Sequence, residues 1–183
     1  MNNINTNTDG EGILPFAISV LMYRQDDPNK CTASKIVKFK IAKEVRKIPF
    51  NHIILNPFSK QVIVPKDKDD FKGICALDCS WKVADSTISI PKRMHTNNRK
   101  LPALLAGNPI NYAKLGVLST AEAVSGALYV LGYKKQATEI MNKFKWGHTF
   151  IDLNLNILED YSNASGQHEI EKIELEYFPH LVK

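Results

Sequence analysis

The chain has 183 residues, 44% of them hydrophobic and 23% charged, which is typical of a globular protein of one large or two small domains. No apolar run approaches the roughly 18 residues that a membrane span requires. The N-terminus also has no basic segment followed by a hydrophobic core. We therefore expect a cytoplasmic protein with no membrane partner. The odd number of cysteines, Cys31, Cys75 and Cys79, favours reduced thiols over disulfides.

The charged residues are unevenly placed along the chain. There are 24 basic and 19 acidic residues, giving a formal charge of +5, and the acidic ones concentrate between residues 159 and 176. The basic first half predicts a polyanionic partner such as RNA. Solvated surface charge is the alternative for any single cluster. The RNA-binding candidates are Lys35, Lys38, Lys43, Arg46, Lys92 and Arg93.

The first half reads as alternating strands and helix. Residues 1–12 are rich in Asn, Thr and Gly, which predicts a disordered tail. The spacing of Val37, Ile41 and Val45 predicts a helix over 32–47. Apolar runs typical of buried strands cover residues 15–23, 52–55, 61–64 and 73–79. Continuous apolar strands with a helix between them predict an α/β domain over 13–100, with a mostly parallel sheet.

The second half, residues 101–183, predicts a helical domain. Ser119 and Glu122 have the spacing of a capping box, and Gly132 is a natural end for the helix that follows. A second amphipathic pattern covers 137–144, and acidic amphipathic sequence covers 157–178.

Several common motifs are missing from the sequence. It contains no Gly-x-Gly-x-x-Gly and no Gly-Lys-Ser/Thr loop, which argues against a Rossmann dinucleotide site and against nucleotide hydrolysis. It also lacks Cys-x-x-Cys and His-Glu-x-x-His, so no metal is expected.

One strand end is the first place to look for chemistry. The strand over 73–79 runs into Asp78 and Trp81, and ligands of open α/β sheets bind at the carboxyl ends of strands. Asp78 would act as a general base or orient a substrate, or it would only cap a turn. Trp81 would face a cation or fill the core. Ser119 and Thr120 would bind an anion at a helix start, or they would serve only as caps.

A set of motifs resembles one known family. The likeness covers about residues 14–156, and two of the motifs are six residues long. In chain order they are Asp27-Pro28, Lys30-Cys-Thr32, Leu55-Asn-Pro57, Asp78-Cys-Ser-Trp81, Leu101-Pro-Ala-Leu-Leu-Ala106, Asn108-Pro109, Asn111-Tyr112, Leu118-Ser-Thr120 and Lys143-Phe-Lys-Trp-Gly-His148. Together they resemble the small-subunit rRNA aminocarboxypropyltransferases of archaea and eukaryotes.

The resemblance implies a specific reaction and fold. Members use S-adenosylmethionine but transfer its 3-amino-3-carboxypropyl group to N3 of a pseudouridine, or of its N1-methyl form, and release methylthioadenosine. The implied substrate is small-subunit rRNA or the pre-ribosomal small subunit. The implied fold is of the SPOUT class, with the helical C-terminal part threaded into a deep trefoil knot. We expect a monomer.

The resemblance also implies site residues. The implied donor-binding residues are Thr32, Leu77, Trp81, Leu101, Gly116, Ser119 and Thr120. Asp78 is the candidate base for N3, with binding of the donor's amino group as the alternative. The chain departs from the family pattern at Asp26, where relatives usually have cysteine. It departs again over 113–116, where relatives often have Gly-Arg-Pro-Tyr.

Two other functions fit the residues less closely. A knotted methyltransferase would move the methyl group of the same donor. A non-catalytic assembly factor would bind rRNA through the lysine-rich segment alone.

Overall fold

Five parallel strands form the sheet that positions the site. The computed structural model describes residues 15–24, 31–78 and 92–181. Its strands are β1 (Ala17–Met22), β2 (Lys43–Val45), β3 (His52–Leu55), β4 (Gly73–Asp78) and β5 (Asn98–Arg99). They are arranged in the order β2-β1-β4-β3-β5, with every neighbouring pair parallel. The predicted α/β class with a parallel sheet is confirmed.

Helices cover the sheet and form most of the second half of the chain. They are α1 (Thr32–Lys38), α2 (Asp67–Asp70), α3 (Thr120–Val130), α4 (Lys134–Met141), α5 (Gly147–Asn163) and α6 (Gln167–Tyr177). Short 3-10 helices lie at Lys92–Asn97 and Pro179–Leu181. Helix α3 lies against β4, α4 and α5, and the buried residues of both halves form one hydrophobic cluster.

The predicted strand over 61–64 is wrong. Only Val62 pairs, through a single parallel bridge to Lys100. Pairing stops there because Val64 donates its N–H to the carboxylate of Asp67, 2.9 Å away, and Pro65 has no N–H to donate.

The predicted helix over 32–47 is also wrong in length. It ends at Lys38, and Lys40 has the left-handed φ of 58°. Ile41 N–H then bonds to Ile36 O, and Lys40 N–H to Val37 O, the two bonds of a Schellman motif. The chain turns and continues as edge strand β2. A glycine usually marks this stop, and here a lysine takes its place.

The other helical predictions hold with adjusted boundaries. Ser119 caps α3 in a full capping box with Glu122, as predicted. The acidic sequence over 157–178 is helical, but it belongs to two helices separated at residues 164–166. The first residue of α5 is Gly147. No other residue fits at this position, because a Cβ would lie 1.9 Å from Met141 O.

The lysine at the end of α1 provides a test of this turn. Lys40→Gly should raise the free energy of unfolding by about 1 kcal/mol, because glycine enters the left-handed region without a Cβ penalty. Lys35→Gly, inside α1, should lower it by about 1 kcal/mol. Urea unfolding followed by circular dichroism measures both, and changes of the same sign would contradict the Schellman turn.

Candidate active site

A cavity of about 340 Å³ opens at the carboxyl ends of β3 and β4. Its walls come from those two strand ends, from the loop that begins at Lys100 and from the start of α3. This is the edge of a parallel sheet where ligands are expected.

The structure brings most of the predicted donor-binding residues to this cavity. Those that line it are Leu77, Leu101, Gly116, Ser119 and Thr120. Thr32 and Asp78 lie directly behind Thr120 and Ala121, to which they are hydrogen-bonded. Trp81 and the predicted tail over 1–12 lie outside the described residues.

Asp78 joins three elements at the back of the cavity. Its Oδ1 accepts a hydrogen bond from the Thr120 hydroxyl at 2.8 Å, and its Oδ2 accepts one from the Cys31 thiol at 3.2 Å. Burial raises the pKa of Cys31, with the Asp78 charge adding to the effect, so the sulfur keeps its proton and donates. Because the Thr120 proton points at Asp78, the hydroxyl can only accept from a ligand in the cavity.

Two N–H groups at the start of α3 already have acceptors inside the protein. Ala121 N–H donates to the Thr32 hydroxyl, and Glu122 N–H donates to Ser119 Oγ. Within the described part of the chain, Thr120 N–H has no intramolecular acceptor. An anion bound here would therefore be held by that one amide and by the helix dipole.

Glu122 fixes the cavity loop to the same helix. Its side chain is fully buried, and its Oε1 accepts from the N–H groups of Gly107 and Asn108 at 2.7 and 2.9 Å. Its Oε2 accepts from Asn108 Nδ2 and from Ser119 N–H, both at 2.7 Å. The sequence predicted the capping bond but gave no sign of the bonds to the loop.

Side chains from two further helices hold the loop at alternate residues. Asn154 of α5 exchanges two 2.8 Å bonds with the backbone of Leu105. Glu174 of α6 accepts from Ala103 N–H at 2.6 Å, and the Tyr161 hydroxyl of α5 donates to Ala103 O at 3.1 Å. These contacts replace the bonds of a paired strand. Sequence reasoning missed them, and the only signal was a polar Asn154 on the buried face of α5.

The basic candidates do not lie on one helix, because the helix over 32–47 is not continuous. Lys35 and Lys38 belong to α1, Lys43 to β2, and Arg46 follows β2. Lys38, Lys43 and Arg46 are exposed, and Lys35 is half-buried. Lys92 and Arg93 begin a 3-10 helix. Arg99, in β5 directly after this 3-10 helix, forms a largely buried ion pair with Asp67 inside the protein.

Two negative findings concern the described residues only. Across residues 15–24, 31–78 and 92–181, no group of three or more His, Cys, Asp or Glu side chains is arranged to hold a metal ion. Over the same ranges, no helix combines the length and apolar character needed to cross a membrane.

Comparison with known proteins identifies the family. Residues 53–178 match a family model described as ribosome biogenesis protein, C-terminal. A 16S rRNA aminocarboxypropyltransferase of Methanococcoides burtonii is 42% identical over 165 residues, covering 88% of this chain and 95% of that protein. The protein of the same name from Methanothermobacter thermautotrophicus is 41% identical over 167 residues, covering 87% and 98%.

A solved structure agrees with the sequence relatives. The SAM-dependent rRNA:acp-transferase Tsr3 from Vulcanisaeta distributa superposes with a TM-score of 0.78 at 36% identity, covering 90% of this chain and 96% of that one. The family model matched over residues 53–178 shows a ribosome-biogenesis protein, and the parallel sheet with its strand-end cavity is compatible with that class. More particularly, the chain belongs to the 16S rRNA aminocarboxypropyltransferase family.

The buried carboxylate provides a test of the loop's attachment. Glu122→Gln should lower the free energy of unfolding by about 2 kcal/mol or more, because an amide NH₂ would face backbone donors whichever way it turns. It should also weaken S-adenosylmethionine binding, since the loop forms one wall of the cavity. Glu139→Gln, on the exposed side of α4, is the matched control. Equal stability of the two variants in urea unfolding would contradict the role of Glu122.

Glu174 predicts a pH dependence of stability. Burial is the main cause of its raised pKa, which the Ala103 bond only partly offsets. The folded state thus holds the Glu174 proton more tightly than the unfolded chain, in which a glutamate carboxyl has a pKa of about 4.3. Its contribution to stability is present below that value and is lost as the pH rises through the folded pKa. Glu174→Gln does not titrate, so its stability relative to wild type should increase from pH 4 towards neutrality. A difference that stays constant or decreases would contradict this assignment.

Proposed function

We propose that the protein transfers the 3-amino-3-carboxypropyl group of S-adenosylmethionine to N3 of a pseudouridine, or N1-methylpseudouridine, in small-subunit rRNA during ribosome biogenesis. Methylthioadenosine is the by-product. The observation that carries the proposal is the strand-end cavity in a chain of this family. It is lined by five of the residues that the resemblance assigns to the donor.

The cavity has the size and chemistry that this donor needs. Its volume of about 340 Å³ lies within the range of small-molecule sites. Leu77 and Leu101 offer apolar walls to the adenosine part. Thr120 N–H, at the positive end of α3, suits the carboxylate of the arm. The Thr120 hydroxyl, restricted to accepting by Asp78, suits its ammonium group. Gly116 and Ser119 also line the pocket, and Thr32 supports the start of α3 from behind through its bond to Ala121. Trp81 is proposed to pack near the sulfur.

The chain's contribution to the reaction is positioning. The donor supplies a carbon activated by a positively charged sulfur. A bond forms from N3 to that carbon, and the carbon–sulfur bond breaks with its electron pair passing to sulfur. The N3 proton passes to Asp78 if that carboxylate is the base, and otherwise to water. The loop and α3 hold the arm in line with N3 and exclude water. The walls would select the arm over the methyl group by burying the methyl.

Asp78 has two proposed roles that kinetics can separate. As a base it would take the N3 proton, and Asp78→Asn would then lower kcat while leaving donor affinity unchanged. As a tether it would act through Thr120, and the same change would weaken donor binding. Both carboxylate oxygens already accept hydrogen bonds, from Thr120 and Cys31, which supports the tether.

The remaining features belong to the same proposal. The protein would act in the cytoplasm as a monomer on rRNA or on the pre-ribosomal small subunit. The exposed side chains of Lys38, Lys43 and Arg46 would contact phosphates. The finer fold class would be SPOUT, with a deep trefoil knot. The return of the chain from β5, at one edge of the sheet, to lay α3 on the central strand β4 supports this topology.

The by-product tests the proposed reaction. Incubation of the protein, S-adenosylmethionine and small-subunit rRNA should yield methylthioadenosine, identified by liquid chromatography and mass spectrometry. S-adenosylhomocysteine in its place would show methyl transfer. Donor and RNA binding without either by-product would indicate an assembly factor.

Thr120 provides a test of the donor site. Thr120→Val should weaken S-adenosylmethionine binding about tenfold in calorimetry, because it removes a hydrogen bond to a charged group. Thr138→Val is the matched control, because the hydroxyl that it removes donates to Lys134 O within α4. Equal donor affinity in the two variants would overturn the assignment of Thr120.

A further inference from the structure

We propose that Phe58 and Tyr112 form a stacking platform at the mouth of the donor cavity, on which the rRNA bases flanking the modified nucleotide pack. This inference rests on the proposed function and deepens it, because it names the protein surface that presents the acceptor. Neither residue belongs to the proposed donor site.

The two rings are more than half exposed on the protein surface. Phe58 is 52% exposed and Tyr112 is 58% exposed, and Ile110 beside Tyr112 is 76% exposed. Large apolar side chains left open in this way mark interaction surfaces when they cluster beside a cavity. Phe58 directly follows Pro57, and Tyr112 lies four residues before Gly116. Both Pro57 and Gly116 line the cavity.

The loop that carries Phe58 is rigidly held. Asn56 Oδ1 accepts from Phe58 N–H at 3.0 Å, and Asn56 Nδ2 donates to Asn98 Oδ1 at 3.1 Å. The Ser59 hydroxyl donates to Asn98 O at 3.1 Å. The ring is therefore presented on a backbone fixed to the sheet.

The loop that carries Tyr112 is fixed at both ends. Asn108, held by Glu122, accepts at its Oδ1 from the N–H groups of Ile110 and Asn111 at 3.2 and 3.0 Å. Ala106 exchanges backbone bonds with Ala113 and Lys114, at 2.7 and 3.0 Å. The backbone that carries Tyr112 is therefore fixed before RNA binds, so little backbone entropy is lost on binding.

The chemistry of these loops fits single-stranded RNA. Every RNA base has a π face, so any of the four bases can stack on an aromatic ring. Lys60 and Lys114 are exposed on the same loops, Lys100 lines the cavity, and the sequence has no acidic residue over 56–61 or 108–118. A uridine whose N3 reaches into the cavity must leave its stack. The rings would replace the stacking that its neighbours lose.

The test compares two phenylalanines at opposite ends of β3. Phe58→Ala and Tyr112→Ala should each raise KM for an rRNA fragment about tenfold, and more when combined. The affinity for S-adenosylmethionine and kcat at saturating RNA should stay at wild-type values. Phe50→Ala is the matched control, since Phe50 is 72% exposed but precedes β3 at the other edge of the sheet. Phe58→Trp should keep the wild-type KM, and Phe58→Leu should not, because stacking needs a ring.

Each other outcome counts against the inference. An unchanged KM in the double variant, with wild-type transfer intact, would overturn the platform and leave the proposed function standing. A wild-type KM in Phe58→Leu would show that apolar contact is enough and that stacking is not required. Normal KM on naked RNA with loss only on pre-ribosomal particles would assign the rings to a protein partner. Absence of transfer by the wild type would reject the proposed function itself.

Discussion

The geometry of the cavity depends on one buried carboxylate. Glu122 is fully buried, and no basic side chain of the described residues pairs with it. Its oxygens accept instead from three N–H groups of the backbone and one side-chain amide. Burying a carboxylate in this way is tolerated only when its oxygens are hydrogen-bonded. The start of α3 adds a favourable dipole. Glu122 thus caps the start of α3 and, through the same carboxylate, holds the loop that forms one wall of the cavity.

The same arrangement makes the site rigid before any ligand arrives. The backbone N–H groups of residues 103, 105 and 107 donate to side chains of α6, α5 and α3 in turn. On the opposite side, Asp78 ties β4 to the starts of α3 and α1 through Thr120 and Cys31. A displacement at an activated carbon needs orientation more than chemical assistance. A scaffold that fixes both walls of its pocket suits that requirement.

The sequence was sufficient where local signals are strong. Continuous apolar runs predicted the parallel sheet, and Ser119 with Glu122 predicted the start of α3. It failed at residue 40, where lysine adopts the left-handed conformation that glycine usually marks. It also missed Asn154 and Glu174, because their partners lie 49 and 71 residues away and such side-chain bonds leave no periodic pattern. The resemblance placed five residues on one cavity, but it did not show which helix amides there are already occupied.

The proposed reaction requires that the longer arm of the donor, and not its methyl group, reaches rRNA. Two samples of S-adenosylmethionine test it directly, one labelled on the methyl carbon and one on a carbon of the aminocarboxypropyl arm, each incubated with the protein and small-subunit rRNA. We expect label in RNA from the arm-labelled donor and none from the methyl-labelled donor. Label reaching RNA from the methyl-labelled donor alone would contradict it.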